Sequence, residues 1–153
     1  MIEEKLLDAC ALIAYFKGEE GKDIVKDLLK KAVFDELYLS MSKINLLEVY
    51  YGFYRDNGAE KAGEVLQETL ALPIALVSEL DDAVFLEAGR LKASYDISFA
   101  DSIALGYALV LGQPLITADH HEFDEIEKHE KIIFEWIRVG QWCLAQHHKH
   151  KSL

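Results

Sequence analysis

Short apolar runs alternate with longer stretches of helical periodicity along this chain. Lys5-Leu6-Leu7 reads as a first strand leading into Asp8, and Ala11 to Phe16 predicts a short helix that stops near Gly18. Ile24, Val25, Leu28, Leu29 and Ala32, set among lysines, predict a helix over 20–33. Leu37 to Met41 is the second strand candidate. Helices over 43–56 and 59–70 follow, separated by Asn57-Gly58. Pro73 opens a third extended run, Ile74 to Val77, and the next helix, over 79–94, carries Leu80, Val84, Ala88, Leu91 and Tyr95 on one stripe. Residues 99–112 are apolar nearly all the way round, which predicts a helix buried on most sides. Gly112-Gln113-Pro114 turns the chain into the strand Leu115-Ile116-Thr117, which ends at Asp119. A brief helix over 120–128 leads to a last strand, Ile132-Ile133-Phe134. Strands separated by helices of this length pair in parallel through right-handed crossovers, so the expected fold is an α/β sandwich.

Composition narrows the class. With 153 residues and 51% apolar content the chain can bury one full core. No apolar run approaches the roughly 20 residues of a membrane span; the longest, Ile103 to Leu111, is about half that and includes Gly106 and Tyr107. Met1 to Lys5 is acidic and does not read as a secretory signal. Two cysteines, Cys10 and Cys143, make neither a disulfide framework nor a thiolate metal site. The expectation is a soluble cytoplasmic protein without membrane association. One domain is expected over 1–138, with a C-terminal extension over 139–153 whose stretch His147-His148-Lys149-His150-Lys151 is basic and loose. Sixteen Lys and Arg against 27 Asp and Glu give a net charge of −11. That balance argues against a phosphate backbone as partner, with one exception: an acidic site that meets phosphate through divalent cations.

Four acids stand where such a site belongs. Ligands of an open parallel sheet bind beyond the carboxyl ends of the strands, and Asp8 and Asp119 each follow one. Either could simply cap the helix after it, and Glu122 would complete a capping box with Asp119. Asp101 lies in the first turn of the apolar helix, behind the capping residue Ser98. Glu48 shares a helical stripe with Ile44, Leu47 and Tyr51, while Leu46, Val49, Tyr50 and Phe53 cover the other side. It therefore reads as a buried acid, either paired with Arg55 or Arg90 or bound to a metal. Two carboxylates about 4 Å apart repel by roughly 4 kcal/mol at an effective dielectric near 20. Three or four together need a cation among them. Oxygen-only donors suit Mg²⁺ or Mn²⁺, and the chemistry that fits is metal-assisted hydrolysis of a phosphodiester.

The segments that carry these acids, Leu6-Leu7-Asp8-Ala9-Cys10-Ala11-Leu12-Ile13, Ser42-Lys43-Ile44-Asn45-Leu46-Leu47-Glu48-Val49, Ser98-Phe99-Ala100-Asp101-Ser102 and Leu115-Ile116-Thr117-Ala118-Asp119, resemble the four blocks of PIN domains. They lie in the family's order and spacing over about residues 4–135, and the nearest subgroup is the VapC-like toxins of prokaryotic toxin–antitoxin pairs. The resemblance implies a three-layer α/β/α sandwich around a parallel sheet and a Mg²⁺- or Mn²⁺-dependent ribonuclease. It carries over Asp8, Glu48, Asp101 and Asp119 as the catalytic, metal-binding cluster. Asp8 and Asp101 would be the firmest ligands, and Glu48 would ligate directly or through water and orient the attacking hydroxide. Asp119 would hold a second ion or its hydration shell, with Thr117 and Asn45 in support. It also implies an RNA substrate, an antitoxin partner and a homodimer. Departures from the pattern are Ala9 and Cys10, where the family often has Ser or Thr, and Asn45 at a turn where Ser or Thr is common.

Other residues are weighed against this cluster. His120 and His121 point about 100° apart on a helix, and both are expected to be solvated rather than metal-bound. Arg55, Lys61, Arg90, Lys92, Arg138 and the basic tail are possible RNA contacts, and the dense tail is the expected one. Tyr50, Tyr51, Phe53 and Tyr54 are core packing or, where exposed, an interface. A haloacid-dehalogenase-type phosphatase would need a second Asp where Cys10 stands, and the acid pair and late Lys of a receiver domain have no counterpart. The readings that remain are a toxin ribonuclease, a PIN nuclease in RNA processing without an antitoxin, and a catalytically silent PIN scaffold.

Overall fold

A computed structural model describes residues 1–138. Among these the strands are β1 (Glu3–Leu7), β2 (Leu37–Ser42), β3 (Ile74–Val77), β4 (Leu115–Thr117) and β5 (Phe134–Trp136). They form one parallel sheet in the order β3-β2-β1-β4-β5. The register sets Leu7 beside Met41 on one side and Ile116 on the other. Seven helices fill the connections: α1 (Ala9–Lys17), α2 (Lys22–Val33), α3 (Lys43–Asn57), α4 (Ala59–Ala71), α5 (Asp82–Ser94), α6 (Phe99–Leu111) and α7 (His120–His129).

Side chains alternate across the pleat, and each face of the sheet meets its own helices. Leu7, Leu37, Leu39, Met41 and Ile116 pack against α1 to α4. Leu6 and Leu115 pack against α5, α6 and α7. The result is the expected three-layer α/β/α sandwich around a parallel sheet. β3 and β5 form the edges and are short and half-buried, which limits the pairing surface they offer to another chain. On the second face α6 lies unusually close to α5. A Cβ on Gly106 would sit 3.2 Å from the Ala88 Cβ and 3.3 Å from the Val84 carbonyl oxygen.

Three departures from these expectations bear on the core. The last strand begins at Phe134, not Ile132: Phe134 to Trp136 make the ladder with Leu115 to Thr117, while Ile132 is core ahead of the strand. The apolar run mixes two roles that look alike in sequence: Ile132 is buried core, while Ile133 is exposed and its carbonyl accepts from the Leu115 N–H at 2.9 Å. α5 starts at Asp82 because Asp81 caps it, accepting from the Val84 N–H at 2.9 Å; Leu80 is left outside the stripe and exposed. α6 is buried on all sides only over Ser102–Ala108, and Phe99, Val110 and Leu111 at its ends face outward.

Candidate active site

The strand order reverses direction between β1 and β4, and that is where an open parallel sheet leaves a crevice at its carboxyl edge. Asp8 follows β1 and is buried. Its Oδ1 accepts from the Ala11 N–H at 2.9 Å, making it the N-cap of α1. Asp119, also buried, follows β4 and caps α7, its Oδ1 accepting from the Glu122 N–H at 3.1 Å. Thr117 joins the two. Its hydroxyl donates to Asp8 Oδ2 in a short hydrogen bond, and its Oγ1 accepts from the Asp119 N–H at 3.0 Å. Capping and position at the crevice are therefore compatible roles for both acids.

Asp101 and Glu48 come from the helices. Ser98 caps α6 and its hydroxyl accepts from the Asp101 N–H at 3.1 Å, so Asp101 leaves the first turn beside the crevice. Asn45 ties α3 to that turn: its Nδ2 donates to the Ala100 carbonyl at 3.3 Å, while its buried Oδ1 has no hydrogen-bond partner among the described residues. Glu48 corrects the sequence reading. It is half-buried rather than buried, because the stripe it shares with Ile44, Leu47 and Tyr51 is the outward one. Those three side chains are 38%, 54% and 50% exposed. The buried face of α3 is Asn45, Leu46, Val49 and Phe53. Of the two arginines suggested as partners, Arg55 bonds Asp56, and Arg90 forks onto Glu130 and bonds Glu87.

The four acids act on one another electrostatically. Lost hydration pushes the Asp8 carboxyl up from 3.8 to about 7. The hydrogen bonds from Thr117 and Ala11 oppose the rise, and the charges of Asp119 and Glu48 add to it. Asp101 is raised well above the ordinary carboxylate range, first by burial and then by Glu48, Asp119 and Asp8. Burial, and then the nearby charge of Glu48, also raises the Tyr51 phenol. Among the described residues no three acid, imidazole or thiolate groups are gathered closely enough to hold an ion as they stand. The donors are all carboxylate oxygens at the edge of an open crevice. A hard, oxygen-seeking divalent cation fits that donor set, and it would remove the electrostatic penalty.

The crevice measures about 500 Å³. Glu48, Asp101 and Asp119 line it directly; Asp8 does not, although the next two residues, Ala9 and Cys10, do. Among the described residues three cations also reach it: Arg55 and Arg138, both expected as RNA contacts, and Lys17, which was not. Arg138 is buried, pairs with Glu19 and donates from Nε to the Glu20 carbonyl at 2.8 Å. Gly21, at φ 96°, makes that approach possible, since a Cβ there would stand 2.6 Å from the Ile137 carbonyl oxygen. Of the other expected RNA contacts, Lys61 lies near Glu64 on its own helix and Arg90 is held by Glu87 and Glu130. The basic tail lies outside the described residues. His120 is not solvated as expected. It stacks on Trp136 with ring centroids 3.7 Å apart and bonds Asp124 and the Arg138 carbonyl. Arg55 is seven residues from Glu48 on the same helical face, so periodicity already places it beside that acid. Lys17 and Arg138 reach the crevice only through tertiary packing.

The family model of the PIN domain matches residues 5–129. The chain belongs to the PIN domain family, and its fold, a five-stranded parallel sheet flanked by helices, is that of a PIN domain. No curated protein matches it. Among solved structures it is similar to the DNA-bound VapBC of Salmonella typhimurium, at 18% identity and a TM-score of 0.68, covering 90% of this chain and 100% of that one. It is also similar to VapBC2 of Rickettsia felis bound to a DNA fragment from its promoter, at 18% identity and a TM-score of 0.65, covering 86% and 97%. A third is VapC20 of Mycobacterium tuberculosis, a toxin that cleaves the sarcin–ricin loop, at 14% identity and a TM-score of 0.59, covering 82% and 95%. At these identities the likeness is one of fold.

Proposed function

We propose that this protein is a divalent-metal-dependent endoribonuclease, the toxin of a VapBC-type toxin–antitoxin pair. What supports the reading is that four carboxylates from four separate segments act on one another around one crevice at the switch point of the sheet, where burial and mutual repulsion lift Asp8 and Asp101. Asp8, Glu48, Asp101 and Asp119 would hold Mg²⁺ or Mn²⁺. A bound ion supplies a more acidic water and offsets charge on the phosphodiester. Thr117 fixes the Asp8 carboxylate and orients the Asp119 main chain. Asn45 ties Glu48's helix to the turn that carries Asp101. Glu48, half-buried at the lining of the crevice, would orient the attacking water. The nuclease domain is taken as 1–138, with 139–153 as an extension, and the setting as the cytoplasm. Ile44, Leu47 and Tyr54, exposed on α3, supply apolar surface for a homodimer or for an antitoxin segment. The second reading is a PIN nuclease in RNA processing without an antitoxin, which the same site supports.

Titrating the protein with Mn²⁺ by calorimetry, beside Asp101→Asn, tests the site, with both samples assayed on single-stranded RNA with and without chelator. Metal binding that the variant loses, together with chelator-sensitive cleavage, is the expected result. No binding at millimolar metal would sink the four-acid argument and leave the silent scaffold. Light scattering reads the dimer, and the genes flanking this one separate toxin from processing nuclease.

A further inference from the structure

The side of α3 that borders the crevice carries more than Glu48. Tyr51, Gly52 and Arg55 follow at three, four and seven residues, so they continue the same face over two turns, about 10 Å along the axis. All three line the crevice, and Lys17 lines it from the last turn of α1. Gly52 stands in the interior of a fifteen-residue helix, where glycine weakens the helix relative to alanine. A Cβ there would meet nothing within 4 Å, and its φ is not in the left-handed region. Neither packing nor backbone geometry calls for glycine. Gly63 and Gly89 share such open surroundings, but neither lines this crevice. What the absent Cβ does at 52 is leave the wall flat beside the half-exposed Tyr51 ring.

The cations beside it are held loosely. Arg55 donates from Nε to Asp56 at 3.0 Å, and Lys17 lies 3.7 Å from the same carboxylate. The Arg55 side chain is 43% exposed and those of Lys17 and Asp56 about a third; solvent-screened pairs contribute little, so a phosphate can replace the carboxylate. In a protein of net charge −11, these two cations stand at the edge of the crevice its acids line.

We propose that Tyr51, Gly52 and Arg55, with Lys17 against the same Asp56 carboxylate as Arg55, form a subsite for the nucleotide adjoining the scissile phosphodiester of a single-stranded RNA. The base stacks on Tyr51 over Gly52, and the neighbouring phosphate binds Arg55 and Lys17. The subsite rests on the ribonuclease reading and gives the otherwise acidic crevice its nucleic-acid affinity.

The test is fluorescence anisotropy of the full chain with a labelled single-stranded RNA of about ten nucleotides, with Ca²⁺ in place of Mg²⁺ to suppress cleavage, over a salt series. Mn²⁺ calorimetry runs on the same samples. Tyr51→Ala is expected to weaken RNA binding by about 5- to 100-fold and Tyr51→Phe by less than about twofold, since the ring carries the stacking. Arg55→Gln lowers the salt slope by about one. Gly52→Ala raises the melting temperature by a few degrees yet weakens RNA binding. Mn²⁺ affinity stays at the wild-type value in all four. Wild-type RNA affinity and salt slope in Tyr51→Ala and Arg55→Gln, in a protein that still binds Mn²⁺ and cleaves RNA, would overturn the subsite alone. Variants that keep RNA affinity but no longer bind a co-expressed antitoxin would overturn it too, and would assign this face to a protein partner. A wild-type protein that neither binds nor cleaves RNA would overturn both the subsite and the ribonuclease reading.

Discussion

Along the sheet side of the crevice, Asp8, Thr117 and Asp119 are buried and hydrogen-bonded to one another and to helix N-termini. Along the α3 side, Glu48, Tyr51 and Arg55 stand on a helix surface, half-buried or exposed. The first wall is preorganised, and its acids are held in place at an electrostatic cost that a cation or a proton relieves. The second costs the fold little and can adapt to what it meets. Substitutions on the sheet side and in the adjoining turn of Asp101 should therefore move stability and metal affinity together. Substitutions on α3 should move substrate binding with little change in stability.

The largest effect is expected at Asp101. Asp101→Asn keeps the shape and the Ser98 cap while removing a charge that burial and three other acids all disfavour. Cleavage should fall by more than the 10- to 100-fold typical of groups that merely support metal ligands. The chelated protein should melt at a higher temperature than wild type. A variant that loses activity and also loses stability would mean that Asp101 is held by contacts which the electrostatic account omits.

Asp8 gives a pH signature of the same cost. Its carboxyl rises from 3.8 to about 7 on folding, so between those values the native state binds more protons than the unfolded chain. Stability of the chelated protein then falls as pH rises through that window. The full penalty, on the order of 4 kcal/mol, is present above about pH 7 and absent below about pH 4. Asp8→Asn should flatten the slope, and saturating Mn²⁺ should remove most of it in wild type. Urea unfolding at several pH values reads both, and a wild-type curve that climbs from pH 4 to 7 would show another group in control.

The contrast between the walls also explains how much of the site is legible in the sequence. Asp8 and Asp119 follow short apolar runs, and β1 and β4 place them as that rule requires. Asp101 behind Ser98 is likewise a local pattern, and the structure keeps it. For Glu48 the pattern gives the right helix but the wrong environment. Ile44, Leu47 and Tyr51 are apolar enough to look like core, yet α3 buries the opposite stripe. Periodicity locates two apolar faces on such a helix without saying which one the sheet covers. The segment at 132–136 misleads for a related reason, since burial of Ile132 and pairing of Phe134 look alike in one dimension. Arg138 reaches the crevice because the segment after β5 packs on Gly21, a contact across more than a hundred residues that no local signal announces.

A smaller effect is expected at Thr117, which serves both buried acids. Thr117→Val keeps the volume but removes one hydrogen bond to Asp8 and takes the Thr117 acceptor away from the Asp119 N–H. A cost of about 1–3 kcal/mol follows, and metal affinity should drop roughly 10- to 100-fold. Thr117→Ser retains the hydroxyl and should recover most of the metal affinity. Failure of serine to do so would mean that the methyl group's packing, not the hydrogen bond, positions Asp8.

The smallest effect on stability is expected at Asn45, which joins the two walls from the α3 side. Its Nδ2 bond to the Ala100 carbonyl is long, at 3.3 Å, and its buried Oδ1 has no partner among the described residues. Removing an unsatisfied buried acceptor offsets the loss of one weak bond, so Asn45→Leu should leave the unfolding free energy within about 1 kcal/mol of wild type. If Asn45 serves only to fill space, Mn²⁺ affinity will be unchanged as well. If its bond holds the first turn of α6 in register with Glu48, affinity will fall although stability does not. That split, read by calorimetry against urea unfolding, would show that the adaptable wall also helps position Asp101 through one long hydrogen bond.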